Sequence, residues 1–176
     1  MRTATFALFA GIAYLSAGVL GLVPEALTPA PPDAAAIRVT ALYGYLFGLF
    51  PVNALHSAVH AVIGLWGLAA WQADHIGHRV RSPRLYARAV AVLYGALALL
   101  GLFPGLNTFF GLLPIHGHDV WLHAGTALIA AWFGWRPLVE VERRRLETLD
   151  RRELAEPVPH ERRYGHGDRR IPTSEV

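Results

Sequence analysis

The chain has 176 residues, 53% of them hydrophobic and only 16% charged, with a formal net charge of +3, no cysteine and a mean hydropathy of +0.33. An average soluble domain carries about 25% charged residues, so this composition cannot coat a water-soluble globule, and the absence of cysteine excludes a disulfide framework and thiolate chemistry. Only nine charged residues lie between Arg2 and Arg136, against nineteen in the last 41, which reads as a membrane domain, residues 1–136, followed by a polar tail, residues 137–176.

An apolar helix needs about 20 residues to cross a hydrocarbon core of roughly 30 Å. The first such run is Thr5 to Val23, uncharged and stopped at Pro24. Residues 31–50 follow, where TPAPPD is a loop breaker, while AAAIRVTALYGYLFGLF reads either as an interfacial segment or as a helical extension of the next span. Tyr43 and Tyr45 there suit the headgroup level. The second run is Val52 to Trp71, entered at Pro51 and ended by Gln72 and Asp74. The third is Leu85 to Phe103, with Arg88 able to snorkel to the headgroups. The fourth is Ile115 to Trp135, closed by Arg136.

Arginine near span ends is retained on the cytoplasmic side. Fifteen arginines (Arg2, Arg79, Arg81, Arg84, Arg88 and ten from Arg136 onward) fall on one side of this four-span layout and only Arg38 on the other. The expectation is therefore a multi-pass protein of the bacterial inner membrane with both termini cytoplasmic. A cleaved signal peptide is the competing reading of Arg2 and the first run. It is disfavoured because that run recurs later in the chain.

The recurrence has two offsets. Moving by 80 residues brings Tyr14 onto Tyr94, Leu20-Gly21-Leu22 onto Leu100-Gly101-Leu102, and Pro24 onto Pro104. Moving by 63 brings Gly48-Leu49-Phe50-Pro51 onto Gly111-Leu112-Leu113-Pro114, Asn53 onto His116, His56 onto Asp119, and His60 onto His123. The predicted fold class is thus all-α, an integral membrane four-helix bundle built from two parallel two-span repeats about an axis along the membrane normal. Gly11, Gly18 and Gly21 in the first span, and Gly64 and Gly67 in the second, would let helices approach closely within the chain. The tryptophans fall mostly near span ends, as in an aromatic belt.

Polar groups at membrane depth normally face a bundle interior or a watery cavity. At 100° per residue Asn53, His56 and His60 lie within about 60° of one another. His116, Asp119 and His123 repeat that spacing, and His118 points away from it. Three readings compete. The first is an interhelical hydrogen-bond network, each bond worth roughly 0.6 to 2 kcal/mol, and it ranks ahead of the others. The second is a metal site on His56, His60, Asp119 and His123, with His116 and Asn53 as further members, holding zinc, copper or iron; haem b between His60 and His123 is its variant. The third is a proton or small-ion pathway through Asp119 and the histidines. Gly-rich phosphate loops, a Gly-x-Ser-x-Gly elbow and paired catalytic carboxylates are all missing, so no enzymatic activity is predicted.

Residues 136–176 hold ten arginines against nine acidic residues, which argues against nucleic-acid binding despite a pI of 9.7. Leu138, Val141, Leu146, Leu149 and Leu154 predict a helix with one modest apolar stripe; Arg143, Arg144 and Arg145 are its candidates for anionic-lipid contact, and the segment from Pro157 reads as disordered. The oligomeric state is left open.

The segments LFGLFPVNALHSAVHAVIGLWGLAA and GLLPIHGHDVWLHAGTALIA resemble a bacterial membrane-protein family, the domain-of-unknown-function family four-three-eight-three, over about residues 3 to 136. The resemblance implies four spans, a Leu-His-Asn-x-x-His motif matched by His56 and His60, and an Asp-Asn-Trp-Leu-His motif matched by Asp119, Trp121, Leu122 and His123. The chain departs from that pattern at Ser57 and Val120, where the family usually has asparagine, and at His116. The resemblance carries no mechanism, and the tail lies outside it.

Overall fold

The computed structural model describes residues 2–76 and 82–137, together with 143, 144, 146–148, 150 and 151. Four helices dominate: α1 (Thr3–Leu20), α2 (Ala54–Ile76), α3 (Pro83–Gly101) and α4 (His118–Trp135). Three stretches, Thr3–Leu20, Ala54–Ala73 and Pro83–Gly101, are long and apolar enough to cross a membrane. Helix α4 is as long as α1, but its first two turns carry His118, Asp119 and His123 and make it more polar.

The helix starts follow from local chemistry. Ser82 caps α3 by accepting the Arg84 N–H at 3.2 Å, and Pro83 occupies the first turn, where its missing N–H costs nothing. Helix α4 begins at His118 rather than at Ile115, because Gly117 adopts φ 65° and ψ −133°, which only glycine takes easily. Likewise Val52 is strand, and α2 starts two residues later.

The expectation of an all-α chain needs correction. Residues 27–52 form a three-stranded antiparallel sheet of β1 (Leu27–Pro29), β2 (Gly44–Leu46) and β3 (Phe50–Val52), ordered β1-β2-β3. Leu27 pairs with Leu46, and Leu46 with Phe50. The helical option for residues 34–50 fails for two reasons. Gly44 is hemmed in by the Thr28 backbone oxygen, 2.7 Å from where a Cβ would stand, and Leu42, Phe47 and Gly48 all have positive φ. Tyr43 does not simply face headgroups; its hydroxyl donates to the Ala35 oxygen at 3.0 Å. Burial pushes the Tyr43 and Tyr45 hydroxyl pKa values up, aided at Tyr45 by the negative charge of Asp33, so both stay neutral. The loop of residues 102–117 joins the sheet segment, residues 27–52, through Arg38 N–H, which donates to the Gly111 oxygen at 2.7 Å.

Helix α1 packs chiefly on α2, and α3 on α4. The first pair meets along glycine: a Cβ on Gly11 would stand 2.8 Å from Leu68 N, and one on Gly18 2.5 Å from Ala61 N. The core between the pairs is Phe6, Ile63, Tyr86, Val90 and Tyr94, with alanines filling the narrow gaps. Trp71, Trp121, Trp132 and Trp135 are exposed, whereas Trp66 turns edge-on to Tyr86 at 5.4 Å.

At the opposite end from the sheet, α3 closes the last turn of α4, whose final carbonyls have no partners within the helix. The Arg84 guanidinium donates to the Arg136 oxygen, and Arg88 Nε to the Gly134 oxygen at 2.9 Å, with Arg88 also lying over the Trp135 ring at 5.6 Å. Arg88 is thus turned onto α4 rather than being merely extended to headgroups. Replacing Arg88 by leucine should lower thermal stability in detergent by about 1.5 kcal/mol, the lower end for a hydrogen bond to a charged group, because Arg88 is exposed. An unchanged melting temperature would show that this cap is idle.

The chain divides into two units, Met1–Pro137 and Leu138–Val176. In the second, the described residues 143, 144, 146–148, 150 and 151 are helical, and Arg143 pairs with Glu147 one turn on at 2.8 Å. Arg145 and the segment from residue 152 lie outside the described residues, as do Arg79 and Arg81.

Candidate metal centre

The site starts from Asn53, whose side-chain oxygen accepts the His56 N–H at 2.8 Å and so caps α2. The Asn53 amide donates to the Val39 oxygen at 2.9 Å and to the Leu112 oxygen at 2.8 Å, tying the segments before α2 and before α4 to the helix start. With both ends of its amide engaged in backbone bonds, Asn53 is a positioning residue and not a metal ligand. Asn53→Ala should destabilise the fold by about 2–3 kcal/mol, from the lost cap and the stranded carbonyls. A melting temperature equal to the parent's would contradict that role.

From this cap, one helical turn separates His56 from His60 and brings their rings to 4.5 Å, tilted by 55°. Helix α4 faces them with Asp119 and His123, also one turn apart. The His123 ring is 6.0 Å from that of His56 and 6.4 Å from that of His60, and Asp119 Oδ2 lies 3.5 Å from His123 Nε2 and 3.9 Å from His56 Nε2. The structure therefore brings together His56, His60, Asp119 and His123, all at most 6% exposed. It does not add His116, which stays in the loop before α4 with its ring 6.4 Å from Tyr45, and His118 is exposed.

The distances decide what the cluster can do. Hydrogen bonds in proteins run to about 3.2 Å for N–H···O, so 3.5 and 3.9 Å are too long for a bonded network. His56 Nε2, both ring nitrogens of His123 and Asp119 Oδ2 are buried without a hydrogen-bond partner among the described residues. Each such group costs about 1–3 kcal/mol, more when charged.

A ligand atom from each of His56, His60 and His123 lies within 4.8 Å of the other two. For three points so close there is always a position within about 2.8 Å of all of them. Zinc–imidazole bonds are about 2.0–2.1 Å, so closing on an ion needs movements under about 1 Å per ring. The Asp119 carboxyl group stands beside two of the rings, placed to serve as a fourth donor. These donors fit a borderline ion such as zinc, copper or iron. Haem b does not fit, because the His56 ring and Tyr94, whose ring is 4.9 Å from that of His123, crowd the space a macrocycle between His60 and His123 would need.

Two neighbours of the cluster are absent from the sequence-based site. Tyr14 lies 5.7 Å from His60, Tyr94 packs edge-on to His123, and the two tyrosine rings meet at 5.0 Å. Their only sequence signal is that they match each other at the 80-residue offset.

No curated protein and no solved structure matches the chain. A protein-family model described as Domain of unknown function (DUF4383) matches residues 4–136.

Proposed function

The chain belongs to this family, whose function is unknown, and from the buried cluster we propose that it is a four-span membrane protein of two parallel repeats that binds one first-row transition-metal ion. His56, His60 and His123 supply the imidazole ligands and Asp119 the carboxylate. The termini face the cytoplasm, which puts the site in the outer half of the bilayer. The observation that carries this reading is the convergence of three imidazole nitrogens within 4.8 Å beside buried His and Asp atoms that have no hydrogen-bond partner. A purely structural role would be better served by bonded pairs. When bound, the ion supplies Lewis acidity or, if copper or iron, a redox centre; the chain fixes its position and keeps bulk water away.

Equivalent contacts in the two halves support the repeat. Gly48 N–H donates to the Tyr45 oxygen at 3.1 Å, and Gly111 N–H to the Thr108 oxygen at 2.9 Å. Leu49 N–H donates to Leu46, and Leu112 N–H to Phe109, each at 3.1 Å. Gly21 faces Ser57 as Gly101 faces Val120. Tyr14 on His60 corresponds to Tyr94 on His123. The metal ligands then straddle the pseudo-two-fold axis, and the exchange of His56 for Asp119 gives the site its one anionic ligand.

The test is the metal content of full-length protein purified in mild detergent without chelator, with its ultraviolet–visible spectrum. Near-stoichiometric zinc, copper or iron is expected. A metal-free, monodisperse sample that also takes up no added zinc or cobalt would return the cluster to a structural role.

A further inference from the structure

Phe47 and Phe110 stand 63 residues apart at equivalent positions of the two outer loops. Both hold the left-handed backbone conformation, with φ of 55° and 59°, and each is followed by a glycine of positive φ. A non-glycine residue adopts that conformation at a cost, and held strain is found where the surrounding structure has a use for it. Here it turns both rings outward to nearly the same degree, 65% and 64% exposed. The same twist that exposes one phenyl on the first loop exposes the other on the second.

The helices say what surrounds these rings. Helix α1 has 18 residues and α3 has 19, so they rise about 27 and 28 Å, short of a hydrocarbon core of roughly 30 Å. The chain past their outer ends stays apolar and exposed at Leu22 and at Leu102 and Phe103. Irregular backbone at membrane depth survives only when its polar groups are satisfied internally. The turns here meet that condition through Leu22 N–H to Val19, Leu102 N–H to Leu99 and the paired bonds at Gly48 and Gly111. Beside Phe110 an open cleft of about 360 Å³ is lined by Arg38 and Thr108. Arg38 has no ion-pair partner among the described residues, as suits a guanidinium at the level of lipid phosphates.

We propose that the outer cap of sheet and turns lies in the outer-leaflet interface, with Phe47 and Phe110 as a symmetric pair of lipid anchors. The inference rests on the membrane-spanning reading but not on the metal. Lipid is thereby the medium around the loops that cover the histidine cluster, and access to that cluster from outside runs through the interface.

The chain has no cysteine, so single nitroxide labels at Phe47→Cys and Phe110→Cys can be read without background. Labels at Leu128→Cys, on the exposed face of α4, and Pro32→Cys, in the exposed first loop, serve as references. In liposomes, power saturation with oxygen and a nickel chelate should place both cap labels on the oxygen-favouring, lipid side, shallower than Leu128, with Pro32 in water. Nickel access at either cap position, with Leu128 still in lipid, overturns the anchor proposal alone. Nickel access at Leu128 removes the membrane-spanning reading beneath it. Protection from both reagents with dipolar broadening would mean that a second copy covers the cap, and that also overturns it.

Discussion

Alanine at His56, His60 or His123 should each weaken metal binding by more than about 100-fold. Loss of a mere supporting partner outside the ligand shell already costs about 10–100-fold, and each alanine removes one of the three imidazoles that converge within 4.8 Å. Asp119→Asn should weaken binding less, because the neutral amide loses the charge but keeps an oxygen. The loss should appear in cobalt titrations, where the visible bands of the bound ion report each variant directly. Loading needs neutral imidazoles and an ionised carboxylate, so affinity should fall as pH is lowered and protons should be released on binding. A metal bound as well by all three alanine variants as by the parent would place it elsewhere. Without metal, alanine at His56 or His123 also removes buried nitrogens that have no hydrogen-bond partner among the described residues, so a destabilised apo form need not accompany the lost affinity.

Gly18→Leu should be strongly damaging although it lies outside the cluster. A Cβ alone would come within 2.5 Å of Ala61 N and 2.7 Å of the Ser57 oxygen, both backbone atoms that cannot swing aside. Helices α1 and α2 would have to part, and overpacking of this kind costs about 1–3 kcal/mol or more. In a membrane the close approach of small residues is itself a main source of helix association. Since Ser57 lies one residue beyond His56, the displacement should reach the metal site and lower affinity as well. Gly125→Ala is the control: nothing lies within 4 Å of its added methyl, and a helix-interior glycine costs about 1 kcal/mol relative to alanine. Its melting temperature should hold or rise. If Gly18→Leu melted with the parent, the α1–α2 seam would not be as close as the structure has it.

Much of the candidate site is legible in the chain because it depends on local spacing. His56 and His60, and Asp119 and His123, are four residues apart, and one helical turn necessarily puts each pair on one face. The haem variant was equally legible as spacing and fails only because His56 and Tyr94 crowd the space between His60 and His123. Asn53 and His116 fit the same stripes by arithmetic, yet they precede their helices. There a side chain answers to backbone groups from other segments, in the case of Asn53 to Val39 and Leu112.

The sequence by itself determined the segregation of charge, the apolar runs, the family and the two polar stripes, all consequences of side-chain polarity and of a helical period that needs no distant partner. Only the tertiary structure decided that Tyr14 and Tyr94 flank the histidines, that the cluster's polar atoms approach without bonding, and that residues 27–52 fold as a small sheet. Strands of three residues carry almost no periodic signal, and their pairing of Leu27 with Leu46 and of Leu46 with Phe50 is fixed by contacts across the chain. The unbonded distances likewise depend on how closely the glycine-lined pair α1–α2 and the pair α3–α4 pack against each other, which no local spacing encodes.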